Sequence, residues 1–214
     1  MTQILVFGDS ISYGAWDIEG GWVQRLRRYL DKITIKSDNK YYIIYNLGVS
    51  GDTTKNLLER FEFETKQRLN DKDKNEEVIF IFAIGGNDCF YINAKKNFLV
   101  KKEEFIKNIK KLIKLSKSMS SKIVFVGLNP TDEIRSAKLP WHKGISYKNE
   151  NIKEYNSRIN NICKENKVNF IDIYDKLIKV NYKSLMEDGS HPNTKGHKLM
   201  FEIIKDYLVK NKIL

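Results

Sequence analysis

The chain is poor in the residues that mark metal sites, stapled scaffolds and membrane spans. Cysteine occurs twice, at Cys89 and Cys163. That separation fits no metal-binding pattern, and a structural disulfide is not expected, so a reducing compartment suits the chain. Cys89 reads as a small buried core residue. Proline occurs three times, with no Gly/Ser-rich linker and no internal repeat. One domain spanning 1–214 is therefore expected. No apolar run approaches the ~20 residues a spanning helix needs. The opening stretch "MTQILVFGDS" has neither the basic nor the long apolar region of a signal peptide, so a soluble, cytoplasmic protein is expected. Neither G-x-G-x-x-G nor a P-loop follows the first apolar run, which argues against a nucleotide-binding fold. G-x-S-x-G is also missing, because Gly8-Asp9-Ser10-Ile11-Ser12 breaks it at the last position.

What the chain has in excess is positive charge, 38 basic against 27 acidic residues, a net of +11. Such a balance suits either an anionic partner or solvated, lysine-rich helix faces. The lysines are spread through amphipathic stretches such as "KNIKKLIKLSKSM" and are not gathered into one stripe. Solvated faces are the better reading, and no nucleic-acid partner is expected.

Short apolar runs alternate with amphipathic ones. "QILVF", "YYIIYNLG", "EVIFIFAIGG", "KIVFVGLNP" and "VNFIDI" read as strands. Between and after them, helices are predicted from "GGWVQRLRRYLDKI", from Thr53 to Leu69, from "KEEFIKNIKKLIKLSKSM", from "NENIKEYNSRINNICKEN" and from "NTKGHKLMFEIIKDYLVKN". Apolar strands without polar alternation imply burial on both faces of a parallel sheet, with the third strand at its centre. Right-handed crossovers leave a doubly wound α/β fold as the commonest topology. Function in such sheets gathers at the carboxyl ends of the strands. "GDS", "GVSGD", "GGND" and "NPTD" all fall there.

Each of these stretches alone reads equally well as a turn. Together they supply the parts of a hydroxyl-nucleophile site. A nucleophile needs a base, the base needs an orienting acid, and a developing oxyanion needs donors. His191 lies three residues after Asp188 in "DGSHP", a spacing that lets the carboxylate reach the ring. The competing reading makes this a helix entry, with Pro192 in the first helical turn. It accounts for Asp, Ser and Pro but not for His. Asn87 can donate from its amide, and Gly51 can bring a backbone N–H close to a substrate. His142 is the rival base, in the long stretch from Asn129 to Lys148, which has few apolar residues and reads as a substrate-side loop. His197, inside the last helix, reads as structural.

These four blocks, in this order from residue 8 to 192, resemble those of the SGNH hydrolases, the GDSL esterase/lipase family. Gly8-Asp9-Ser10 resembles the first block, Asn46 to Gly51 the second, Gly85-Gly86-Asn87-Asp88 the third and Asp188 to Pro192 the last. Ile11 stands where the family name implies leucine, an exchange of one apolar residue for another. The resemblance implies a flavodoxin-like three-layer sandwich, a five-stranded parallel sheet flanked by helices. It implies a serine esterase hydrolysing a small-molecule carboxylic ester, without metal or cofactor. It casts Ser10 as nucleophile, His191 as base and Asp188 as acid, with an oxyanion hole from Ser10, Gly51 and Asn87. Asp9, Trp141 and His142 are substrate-side candidates. Acyl transfer through the same residues, or non-catalytic binding of an anionic polymer, are the alternatives.

Overall fold

The computed structural model describes residues 1–69, 76–120 and 122–214. In chain order it contains β1 (Thr2–Gly8), α1 (Ser10–Tyr13), α2 (Gly21–Lys36), β2 (Tyr42–Gly48), α3 (Thr54–Lys66), β3 (Glu77–Ala83), β4 (Tyr91–Ile92), β5 (Asn97–Phe98) and α4 (Lys102–Lys117). Then follow β6 (Lys122–Val126), α5 (Glu133–Ser136), β7 (Ile145–Ser146), α6 (Asn149–Glu165), β8 (Asn169–Ile171), α7 (Tyr174–Ile178) and α8 (Thr194–Lys210). Short 3-10 turns occupy Pro140–His142 and Tyr182–Leu185.

Five strands form a parallel sheet in the order β2-β1-β3-β6-β8. The strand predicted to be central is central. Alternation along the strands divides the core in two, because successive side chains point to opposite faces. Leu5, Phe7, Phe80, Phe82 and Phe125 face one side, where Phe61 of α3, Phe105 of α4 and Tyr155 of α6 pack on them. Ile4, Val6, Ile79, Ile81 and Val124 face the other, against Trp22 and Leu26 of α2 and Met200 and Ile204 of α8. Both layers are apolar, so the strand sequences carry no polar alternation. Complete burial of each such side chain stabilises the fold by about 1.5–3 kcal/mol. Among the described residues, no helix is long and apolar enough to cross a membrane.

One expectation and one competing reading need correction, and one element was not anticipated. The second strand is an edge, and Tyr42 to Tyr45 are only half-buried there. Its apolar side chains cover the sheet margin rather than its middle. Pro192 is not in the first turn of the last helix. Asn193 caps α8, its side chain accepting from the Lys195 and Gly196 N–H groups, while Pro192 bridges to Met186 before it. A second, three-stranded antiparallel sheet, ordered β5-β4-β7, was not foreseen. Its strands have two residues each, too short for any periodicity to register.

Candidate active site

Strand register sets the site. Gly8 of β1 pairs with Gly48 of β2 and with Ala83 of β3, so three turns leave the sheet at one level. Both glycines are enforced by contact. A Cβ on Gly8 would lie 2.6 Å from the Ala83 carbonyl, and one on Gly48 2.8 Å from the Ser12 carbonyl carbon. Because neither is there, α1 can fold down onto the strand ends. The Asp9 side chain caps it, accepting from the Ile11 N–H at 3.0 Å. Asn46 Nδ2 donates to the Ser12 carbonyl at 2.8 Å and holds the turn from β2. Ser10 is thereby fixed just beyond β1.

The segment before α8 meets it. Asp188 Oδ1 accepts from the Ser190 and His191 backbone N–H groups, each at 2.8 Å. Asp188 Oδ2 lies 2.7 Å from His191 Nδ1, and His191 Nε2 lies 2.9 Å from Ser10 Oγ. A proton on Nδ1 directed at the carboxylate leaves Nε2 free to accept from the serine hydroxyl. Burial acts to raise the Asp188 pKa. The His191 ring, the His191 and Ser190 N–H groups and the charge of the imidazole outweigh it and hold the carboxyl well below its usual range. The "NPTD" stretch grips this loop from behind. Thr131 Oγ1 and the Asp132 N–H both donate to the Gly189 carbonyl at 2.8 Å, and Asn129 Nδ2 to that of Ser190 at 3.3 Å. Arg135 of α5 donates to the Met186 and Glu187 carbonyls.

Opposite stand Gly51 and Asn87. Gly51 has φ +84°, a left-handed conformation that side-chain-bearing residues rarely adopt. Asn87 Nδ2 donates to the Asp52 carbonyl at 2.8 Å, which orients the amide and leaves its second N–H without a partner among the described residues. Asp52 is tied to Arg60 of α3 at 2.7 Å, and Arg60 also donates to the Gly8 carbonyl at 3.2 Å. The backbone N–H groups of Ser10 and Gly51 make no hydrogen bond among the described residues. Beneath the turn, buried Asp88 accepts from the backbone and hydroxyl of Thr54 at the start of α3. Burial outweighs those bonds and pushes its pKa up to about 7.

Ser10, Gly51, Asn87 and His191 line one cleft of about 440 Å³. Asp9, Trp141 and His142 line it too. Burial pushes the Asp9 pKa up to about 6, against the Ile11 N–H and the nearby His191 that favour its charge. His142 is buried, with Nδ1 2.8 Å from the Ser136 carbonyl and its ring against Phe90 and Tyr147. Burial lowers its pKa, and it bonds no carboxylate. The rival base is therefore a wall of the cleft. The 129–148 segment is more ordered than its composition suggests, with α5, a 3-10 turn and β7 within it. His197 is fully buried, its Nε2 3.4 Å from the Ala15 carbonyl.

Sequence reasoning missed Trp16, whose indole forms part of the cleft. Trp16 sits between Gly14 and Gly20, outside the predicted strands and helices, and nothing in the sequence marks it out. It also missed the grip of Asn129, Thr131 and Arg135, which acts mainly on backbone carbonyls and leaves no trace in residue type.

No curated protein matches the sequence significantly. Solved structures share the fold across almost the whole chain. A GDSL-like lipase from Bacteroides thetaiotaomicron is 23% identical with a TM-score of 0.69, the match covering 98% of this chain and 88% of that one. A lipase/acylhydrolase from Enterococcus faecalis is 20% identical with a TM-score of 0.70, covering 97% and 95%. An acetyl xylan esterase is 19% identical with a TM-score of 0.73, covering 96% and 99%. The profile of GDSL-like lipases and acylhydrolases matches residues 4–204, and the chain belongs to that family, an ester-bond hydrolase.

Proposed function

We propose that the protein is a serine esterase that cleaves a small-molecule carboxylic ester through an acyl-enzyme on Ser10. The observation that carries this reading is the unbroken chain of hydrogen bonds from Ser10 Oγ through His191 to Asp188 at the wall of a cleft. Ser10 Oγ attacks the carbonyl carbon as its proton passes to His191 Nε2. The carbonyl oxygen becomes an oxyanion, met by the Ser10 and Gly51 N–H groups and the second N–H of Asn87. The tetrahedral species collapses, the C–O bond breaks, and the proton on His191 leaves with the alcohol. Water then attacks the acyl-serine, giving its proton to Nε2, and the carboxylic acid departs while Ser10 regains its hydrogen. Asp188 stays ionised throughout and holds the imidazolium.

Acyl transfer to an acceptor other than water would use the same residues, and the acceptor alone would differ. The two free, buried cysteines suit a reducing, cytoplasmic setting. A panel of chromogenic esters, with and without acceptor alcohols, tests the activity. Labelling by a fluorophosphonate followed by peptide mapping tests the nucleophile. Modification of Ser10 alone, lost in Ser10→Ala together with turnover, is the expected result. Labelling that persists on another serine refutes the assignment.

A further inference from the structure

Trp16 carries an unusual combination of features. It is a non-glycine residue at φ +53°, a conformation that costs backbone energy for any residue with a Cβ. Its side chain is 57% exposed, so burial returns little of that cost. The indole Nε1–H donates to Asp188 Oδ2 at 2.8 Å. The ring stands edge-on to His191, with centroids 5.8 Å apart at 75°.

Asp188 accepts four N–H donors. Three come from its own loop: the Ser190 and His191 backbones on Oδ1, and His191 Nδ1 on Oδ2. The fourth, Trp16, comes from the segment that carries Ser10 and shares Oδ2 with His191. Next to it, Asp17 Oδ1 accepts from Thr194 Oγ1 at 2.9 Å, on the far side of His191 in the chain. Asp17 is itself held by the Gly21 N–H and by Arg25. Residues 16 and 17 thus clasp the loop on both sides of His191, to the segment that bears the nucleophile.

We propose that Trp16 is a positioning residue, its indole N–H fixing the Asp188 carboxylate so that Oδ2 meets His191 Nδ1 with His191 Nε2 aimed at Ser10. This inference rests on the Ser10–His191–Asp188 reading above. Without that N–H, the outward lone pairs of Oδ2 turn to water, the carboxylate can tilt, and the imidazole loses its fixed angle to the serine. The carboxylate charge, shared among fewer donors, also holds an imidazolium more strongly. The other titratable groups around His191 are Asp9 beside Ser10, His142 from the 129–148 segment and His197 of α8. None of them bonds Asp188, so none replaces the lost donor.

Trp16→Phe keeps an aromatic ring and removes the donor. The expected result is a folded enzyme whose thermal midpoint falls by only a few degrees, the cost of one lost hydrogen bond. Its kcat falls roughly tenfold, the worth of one hydrogen bond to a charged group, KM is little altered, and the acid limb of the kcat/KM profile moves to higher pH. An unchanged kcat and acid limb would overturn the proposal. So would a loss confined to KM, which would make Trp16 a wall for substrate and nothing more. Replacing Trp16 by its benzothiophene isostere, with sulfur in place of N–H, keeps shape and volume. It should reproduce the loss of kcat, and wild-type kcat there overturns the proposal even if the phenylalanine variant does not fold. His191→Ala run alongside separates two kinds of failure. If it stays active, the triad reading falls and takes this inference with it. If it is inactive while Trp16→Phe is unimpaired, only the role of Trp16 falls.

Discussion

Replacing Asn87 by alanine removes one donor and leaves the strand beneath it intact. The amide spends one N–H on the Asp52 carbonyl at 2.8 Å, so the variant loses that bond as well as the donor proposed for the oxyanion. The first loss is structural. A half-buried carbonyl left to water costs about 1 kcal/mol, which shifts the thermal midpoint of a chain of this length by about 2–4 °C. The second is kinetic. Removing one oxyanion donor lowers kcat by roughly 10²–10³, about 3–4 kcal/mol of transition-state stabilisation. KM should hardly move, because the charge that the donor meets exists only in the transition state. Asn87→Asp should be at least as damaging, since its carboxylate would repel both the Asp52 carbonyl and the oxyanion. Thermal midpoint, kcat and KM measured on one preparation separate the two effects. A folded Asn87→Ala enzyme with native kcat would falsify the oxyanion role and leave "GGND" a turn.

The two cleft histidines should behave oppositely. His191→Ala should abolish turnover, while His142→Ala, which removes a ring packed on Phe90 and Tyr147, should change mainly the ranking of substrates; the reverse pattern in the ester panel would exchange their roles. The pH dependence of stability should show the buried histidine of α8. Burial, only partly offset by the Ala15 carbonyl, pushes the His197 pKa down to about 4, so between pH 6.5 and 4 the unfolded chain binds a proton that the folded chain refuses. Stability from this group is therefore whole above pH 6.5 and lost on acidification, by as much as about 3 kcal/mol. Asp9 and Asp88, pushed up to about 6 and about 7, act the other way, their burial penalty easing as pH falls. The gap in thermal midpoint between wild type and His197→Gln isolates the histidine: it should narrow from pH 7 to pH 4.5, and a constant gap would refute the assignment.

The legible parts of the sequence were those written in residue type. Phe80 and Phe82 on one face of β3, with Ile79 and Ile81 on the other, make a run that only a doubly covered strand explains. The central place of β3 followed from its run being the most apolar. Ser10, Asp188 and His191 stood out because chemistry restricts which side chains can fill those places. Elsewhere the information lies in backbone atoms. The Gly189 carbonyl takes two donors from 131–132, and any residue has a carbonyl. The edge position of β2 depends on what fails to pair beyond it, which an apolar run such as Ile43-Ile44-Tyr45 does not encode. Trp16 drew no reading at all, since its partner Asp188 lies 172 residues away.

The shared register of β1, β2 and β3 has a consequence for how this chain can change. Gly8, Gly48 and Ala83 form one row across the sheet, and Ser10, Gly51 and Asn87 are counted from that row. One residue inserted within β1 would advance Ser10 by about 3.3 Å and turn it to the opposite face. Deletions within these strands should therefore be as lethal as loss of the serine itself. The 129–148 segment answers to no such row. It supplies Trp141 and His142 to the cleft and is anchored at its base through Asn129, Thr131 and Arg135 and at its far end by β7, which pairs with β4. Length variation between Ala137 and Gly144, before β7 pairs with β4, can reshape the entrance without disturbing the strand ends, which makes that stretch the natural place for descendants of this enzyme, or libraries built on it, to acquire new ester preferences.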